Sequence, residues 1–189
     1  LAMASEPMST VVQTYNSLTN VDIKFGVATD LKGETYPIDQ GNYGALISHE
    51  DRNVRKTAWE NYNDAFLKNK NTLAGLQIAG LQKDIFVANV RGFKNTLEAS
   101  LFPNNIPEEV FHNLISVFRK HLPTWHKYWR IRKQWLGLDE FQEYDIKAPL
   151  TDQKPVVPYQ QAIEWITAGM KPLGEKYVGI LNKGATTER

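Results

Sequence analysis

The sequence predicts a mainly α-helical protein with one small β-hairpin near its N-terminus. After residue 48, apolar residues recur at three- and four-residue steps, which is the spacing of one face of an α-helix. The period-two alternation typical of strands is found at residues 21–25 and 34–38, on either side of turn-forming residues 29–33. Because an isolated two-stranded hairpin is marginally stable, we expect this one to lie against the helices.

The N-terminal half is expected to contain three helices besides the hairpin. The first helix is predicted at residues 8–18. The second is predicted to begin after Ser48, whose hydroxyl would cap the helix while Asp51 closes a capping box. The third is predicted at residues 73–90 and ends at Gly92, which suits a left-handed C-terminal cap.

A long helix dominates the C-terminal half. Pro107 followed by two glutamates is typical of a helix start, because proline suits the first turn and acidic residues favour the positive end of the helix dipole. The helical spacing of apolar residues continues from there to Gly137. Two shorter helical patterns follow at residues 158–170 and 173–181.

Composition and charge narrow the class of protein. The chain has 22 Lys plus Arg against 21 Asp plus Glu, which argues against a strongly basic nucleic-acid-binding protein. It has no cysteine, which excludes disulfides and thiolate metal sites, and no apolar run approaches the ~20 residues of a membrane helix. We therefore expect a soluble, cytoplasmic protein with no membrane segment and no nucleic-acid partner. Because the chain starts at Leu1 and stops within a helical pattern, we also expect an internal fragment.

The sequence contains no complete catalytic or metal-binding motif. His49 followed by Glu50 matches the start of the zinc motif His-Glu-x-x-His, but Asn53 stands where the second histidine is required. The other histidines have separations that do not bring two rings to one helical face; they are His112, His121 and His126. No catalytic residue and no metal ligand is therefore predicted in this chain.

Basic and aromatic residues alternate within the long helix, and this pattern admits two interpretations. Such a stretch can bind nucleic acid through phosphate contacts and base stacking. The helical spacing of the aromatic residues favours instead a core stripe with long basic side chains lying beside it. The residues are Arg119, Lys120, Trp125, Lys127, Tyr128, Trp129, Arg130, Arg132, Lys133 and Trp135.

Three stretches follow one another along the chain; they are residues 41–47 with 51–58, residues 97–103 with 105–110, and residues 128–138 with 144–145, 148–149 and 172–177. They resemble the catalytic region of oligoendopeptidase F, a member of the M3 family of zinc metallopeptidases. The third of them reads Tyr-Trp-Arg-Ile-Arg-Lys-Gln-Trp-Leu-Gly-Leu. The stretches occur in the order and at the spacing of the family, and the resemblance covers nearly the whole chain.

The resemblance implies a mainly α-helical fragment of a zincin-type peptidase that cuts short peptides. Residues 1–40 would be the end of an N-terminal helical domain with the hairpin, and residues 41–189 the start of the helical catalytic domain. The zinc motif of the family would lie in the C-terminal remainder of the enzyme, which is the expected partner, so this chain alone would bind no metal and be inactive. Arg132 and neighbouring groups could contact peptide termini or carboxylates, but no single residue is assigned to substrate binding. The alternative is a stand-alone helical interaction domain without catalytic activity.

Overall fold

A computed structural model describes residues 2–151 and 156–187 of the chain, with side chains from residue 6 onward. The chain divides into two compact units, residues 1–150 and residues 151–189. The described residues contain eight α-helices and one two-stranded antiparallel sheet, which confirms the predicted fold class. None of the described helices is both long enough and apolar enough to cross a membrane.

The first unit holds six of the helices and both strands. Its elements are α1 (Ala2–Ser17), β1 (Val27–Thr29), β2 (Thr35–Pro37), α2 (Tyr43–Leu46), α3 (Arg52–Lys68), α4 (Lys70–Val90), α5 (Thr96–Leu101) and α6 (Glu108–Trp135). The second unit holds α7 (Tyr159–Gly169) and α8 (Glu175–Thr186), and the hydroxyl of Tyr159 donates to the carbonyl oxygen of Ala185 at 3.0 Å.

The hairpin is present, but its first strand lies further along the chain than predicted. β1 pairs with β2 so that Ala28 lies opposite Tyr36. The carboxylate of Asp30 accepts hydrogen bonds from the backbone amides of Lys32 and Glu34, both at 2.8 Å, and so fixes the turn directly after β1. The prediction of a first strand at residues 21–25 is therefore wrong.

Residues 18–22 form a π-helical turn instead of a strand. The alternation that suggested a strand arises because Ile23 and Phe25 are both buried, each 7% exposed. Both side chains belong to the core between the hairpin and α3, where the ring of Phe25 stacks on that of Tyr62 with centroids 4.6 Å apart. The alternation at residues 21–25 therefore reflects the burial of Ile23 and Phe25 and does not indicate strand pairing.

This core joins the hairpin to α2 and α3 across residue 40. Its buried members are Ile23, Phe25, Ala28, Ile38, Leu46, Val54, Ala58 and Ala65. The hairpin is held to α3 by polar contacts as well, since the side-chain hydroxyl of Thr57 accepts from the amide of Thr29 at 2.8 Å. The domain boundary expected at residue 40 stays a prediction.

The helix α3 begins three residues later than expected. Its N-terminal cap is Asp51, whose carboxylate accepts from the amide of Asn53 at 2.7 Å. Ser48, the cap predicted from sequence, instead donates its hydroxyl to the carbonyl oxygen of Gly44 at 2.8 Å, at the end of α2. Ser48 and Asp51 are both acceptable N-cap residues, and the sequence pattern favoured Ser48, which is not the cap of α3 in the structure.

The helix α6 is 28 residues long and continues through Pro123. Its first turn carries Glu108 and Glu109, and the chain leaves its C-terminal end through Gly137, which has a φ of 63°. A positive φ is readily adopted only by glycine, which explains why this helix stops there. The predicted start and end of the long helix are confirmed.

Candidate functional site

An arginine–aspartate cluster, formed by Arg52, Arg55 and Asp145, joins the start of α3 to the loop after α6. The two arginines lie three residues apart and therefore on the same side of α3. Asp145 ends a single turn of 3-10 helix, Glu143–Asp145, and its side chain is fully buried. The cluster brings together residues that are about 90 positions apart in the chain.

Both oxygens of the Asp145 carboxylate are saturated with donors. Arg52 donates from Nε to Oδ1 at 3.0 Å and from Nη2 to Oδ2 at 2.8 Å. Arg55 donates from Nη2 to Oδ1 at 3.0 Å, and the backbone amide of Gln142 donates to Oδ2 at 3.1 Å. Two-point contacts from a planar guanidinium fix orientation as well as distance, so this carboxylate has one defined position.

The guanidinium of Arg55 is fully used as well. Its Nη1 donates to the carbonyl oxygens of His49 at 2.8 Å and Glu50 at 2.9 Å, and its Nε donates to that of Tyr144 at 3.1 Å. The Arg55 side chain is only 4% exposed, whereas that of Arg52 is 42% exposed. Arg55 is therefore the buried centre of the cluster, and Arg52 closes it from the solvent side.

The cluster keeps Asp145 ionised. Burial by itself raises the pKa of this carboxyl, but the hydrogen bonds from Arg52, the Gln142 amide and Arg55 outweigh it, so that the pKa of Asp145 lies below its ordinary value. The same hydrogen bond to Asp145 raises the pKa of Arg52. Asp145 and Arg52 are thus both charged at neutral pH.

Arg132 holds the same loop from the side of α6. It is buried, and its Nη2 donates to the carbonyl oxygen of Ala148 at 2.5 Å while its Nη1 donates to the hydroxyl of Tyr128 at 3.3 Å. Its Nε has no hydrogen-bond partner among the described residues. Arg132, considered from sequence as a contact for peptide termini, is therefore engaged in the structure with the backbone of the loop that carries Asp145.

The histidines do not assemble into a site. The Nδ1 of His49 accepts from the backbone amide of Asp51 at 3.0 Å, which is a local contact in the turn before α3. The other three lie exposed on α6; they are His112, His121 and His126. Within the described residues, no group of three or more His, Cys, Asp or Glu side chains is placed to hold a metal ion.

The aromatic residues of α6 contact one another along the helix, but most of them are exposed and do not form the core stripe that the sequence favoured. The rings of Trp125 and Trp129 stack with centroids 5.9 Å apart, and Trp129 contacts Phe141 of the following loop at 5.7 Å. Trp129 is half-buried, but Trp125 remains exposed. Tyr128 and Trp135 are exposed as well, so Trp129 is the one aromatic residue of the predicted stripe that is partly covered.

A broad apolar face of α6 lies open to solvent on the N-terminal side of Trp129. With 3.6 residues per turn, its members fall within an arc of about 160° around the helix. This surface, called here the apolar face of α6, consists of Val110, Phe111, Leu114, Ile115, Val117, Phe118, Leu122 and Trp125. All of them except the partly buried Leu122 are exposed. The exposed side chain of His121 is the one polar group within this arc. An apolar surface of this extent is typical of an interface.

The helix α4 also exposes apolar side chains, and it does so on several sides. A helix that is apolar all round is normally enclosed by other structure. Its exposed large residues are Ile78, Leu81, Ile85, Phe86 and Val90. Together with α6, this helix gives the first unit an extensive set of exposed apolar side chains.

The total surface supports the same conclusion. The accessible surface of the chain is 14323 Å². A globular monomer of its mass exposes about 9,200 Å², and two separate globular proteins of the sizes of its units would together expose about 10,700 Å². The chain therefore exposes far more surface than compact proteins of this size.

Comparison with known proteins places this fold in a family. The sequence model of peptidase family M3 matches residues 45–180, which is well over half of the chain. The chain therefore belongs to peptidase family M3. This confirms the resemblance on which the sequence interpretation rested.

Two curated relatives and one solved structure illustrate the match. Oligopeptidase PepF of Bacillus subtilis (strain 168) is 39% identical over 97% of this chain and 28% of its own length. An oligoendopeptidase F homolog of Borreliella burgdorferi is 33% identical over 97% of this chain and 30% of its own length. The crystal structure of oligoendopeptidase-F from Enterococcus faecium superposes with a TM-score of 0.77 at 31% identity, covering 96% of this chain and 34% of that one.

The chain thus spans less than a third of the length of these curated relatives. The stretches that carried the resemblance include all three residues of the arginine–aspartate cluster, although sequence reasoning did not pair them. No local pattern links Arg55 to a carboxylate 90 positions away. The only available signal was that both stretches belong to one ordered set of motifs.

Proposed function

We propose that this chain is a segment of a longer M3 peptidase that hydrolyses peptide bonds in short oligopeptides. Relatives that match nearly the whole chain carry the names oligopeptidase and oligoendopeptidase F, and the chain spans less than a third of their length. The observation that carries the proposal is the match of residues 45–180 to peptidase family M3, and the exposed apolar surface of α4 and α6 supports a longer polypeptide.

The proposed role of the segment is architectural. Its helices would form one wall of the substrate channel, with residues 1–40 closing an N-terminal helical domain and residues 41–189 opening the catalytic domain. The arginine–aspartate cluster suits this role, because it fixes the start of α3 to the loop after α6 through directed, buried contacts. No residue of this chain is assigned to the chemical step.

The metal chemistry of the family would be supplied by residues outside this chain. The described residues offer no group of ligands that fits zinc, so no metal site is proposed here. We further propose a cytoplasmic enzyme, a choice with which the absence of cysteine is consistent.

The test is a chimera in which this chain replaces the matched stretch of Bacillus subtilis oligopeptidase PepF. We expect the chimera to cleave a fluorogenic oligopeptide, to lose this activity on metal chelation and to regain it when Zn²⁺ is added. The 189-residue chain alone and PepF lacking the stretch should both be inactive. A folded chimera without activity would contradict the proposal, and so would cleavage by the isolated chain.

A further inference from the structure

The apolar face of α6 is continuous with a surface that is already covered. Trp129, Arg132 and Leu136 lie within the same arc of the helix, and at least the first two contact the loop after α6. Moving toward the N-terminus, the same arc is exposed from Trp125 to Val110. These 16 residues span about 24 Å of helix, which is the length of a partner helix of four to five turns.

Basic residues border this face on both sides. Arg119 and Arg130 follow one edge of the arc and Lys120 the other, with Lys127 behind. The acidic residues of α6 are Glu108 and Glu109, both in its first turn. A surface that combines an apolar stripe with basic margins is complementary to an amphipathic helix whose own stripe is bordered by carboxylates.

The charge pattern argues against a second copy of this chain as the occupant. Two α6 helices joined face to face would bring their basic margins together, and juxtaposed like charges disfavour association. The relatives are more than three times as long as the stretch matched here, so a family member contains ample further chain to cover the face.

We infer that the apolar face of α6 is the docking surface for an amphipathic helix with acidic margins, contributed by the part of the M3 polypeptide that this chain does not contain. The inference rests on the proposed function and adds to it the surface and the chemistry of the contact. It assigns Leu114 and Phe118, which are 67% and 54% exposed, to the centre of that contact.

Site-specific photocross-linking in the PepF chimera tests the inference. Benzoylphenylalanine replaces Phe118 on the apolar face or, as the matched control, Ser116 on the opposite side of the same turn. Position 118 should cross-link to a helix of the PepF-derived part at least ten-fold more than position 116 does, and mass spectrometry should find Asp or Glu beside the cross-linked residue. If the chimera does not accumulate as soluble protein, the photoreactive 189-residue chain is mixed with the separately produced PepF-derived part.

Three results would overturn the inference: cross-links to a second copy, cross-links within this chain, or equal yields at the two positions. The readout is independent of activity. A chimera that cross-links as expected but cleaves no peptide would contradict the proposed function and leave the docking surface in place. An active chimera that fails to cross-link from position 118 would contradict the docking surface and leave the proposed function in place.

Discussion

Asp145 is the residue on which the arrangement of the first unit depends. It is fully buried, and it is the shared acceptor of two guanidinium groups from α3. Removing the charge of one partner in a buried ion pair leaves the other charge uncompensated, which costs more than the pair contributes. Because of the two arginines, replacing Asp145 should destabilise the fold much more than replacing an ordinary loop carboxylate.

We expect Asp145→Asn to lower the free energy of unfolding of the chain by about 3–5 kcal/mol, the range for a broken buried ion pair. The measurement is urea denaturation followed by tryptophan fluorescence. Asp139→Asn, at an exposed position of the same loop, is the matched control and should change the free energy of unfolding by less than about 0.5 kcal/mol. Similar losses for the two variants would show that the cluster does not stabilise the fold.

The Asp145 carboxylate should also make the free energy of unfolding depend on pH in the acid range. The pKa of Asp145 lies below its ordinary value of 3.8 in the folded chain and returns to that value on unfolding. A lowered pKa contributes stability that is complete above the unfolded value and is lost as the pH falls through the folded one. The gap in unfolding free energy between the wild type and Asp145→Asn should therefore be constant above about pH 5 and narrow below about pH 4. A gap that widens with acid would contradict this assignment.

At the scale of elements, the periodicity of apolar residues located the longer helices well, because apolar residues on one side of a helix recur every three to four positions whether or not the chain itself covers that side. It failed where a local polar contact decided the outcome. The turn after β1 is fixed by Asp30, and the start of α3 by Asp51, and in both places the sequence offered a second acceptable arrangement nearby. The cluster was beyond sequence reasoning because its partners meet only in the folded chain.

The cap of α3 gives a prediction at this scale. Asp51 accepts from the amides of Asn53 at 2.7 Å and Leu31 at 3.3 Å, so it satisfies a helix end and ties it to the hairpin. Asp51→Ala should lower the free energy of unfolding by about 1 kcal/mol, within the usual 0.5–2 kcal/mol for a lost cap. Ser48→Ala, at the cap predicted from sequence, should cost less in the same urea experiment, and the opposite ranking would restore the original assignment.

At the scale of the whole molecule, the many exposed apolar residues are typical of a segment of a larger protein. The fold class and the family could be predicted from sequence because both depend on patterns distributed along the whole chain. Which helix faces remain open could not, because that depends on what the helices contact in three dimensions. The structure supplies this by showing that Trp129 and Arg132 of α6 contact the loop that follows, whereas the apolar face of α6 is exposed.

The open surface should be measurable in solution. We expect the native 189-residue chain to enhance the fluorescence of anilinonaphthalene sulfonate several-fold, because this dye binds exposed apolar surface. Leu114→Asp should reduce the enhancement, whereas Ser116→Asp should not, since only Leu114 lies on the apolar face of α6. Absence of dye binding by the folded wild type would mean that these faces are covered within the chain itself.

The distance in sequence between Arg55 and Asp145 has a consequence for synthesis. The two partners are 90 residues apart, and a ribosome adds roughly 5–20 residues per second, so the arginine leaves the exit tunnel about 5–18 s before the carboxylate it requires. During that interval α3 carries a cation destined for the interior with nothing to neutralise it. The arginine–aspartate cluster of the nascent first unit can therefore form only after Asp145 emerges.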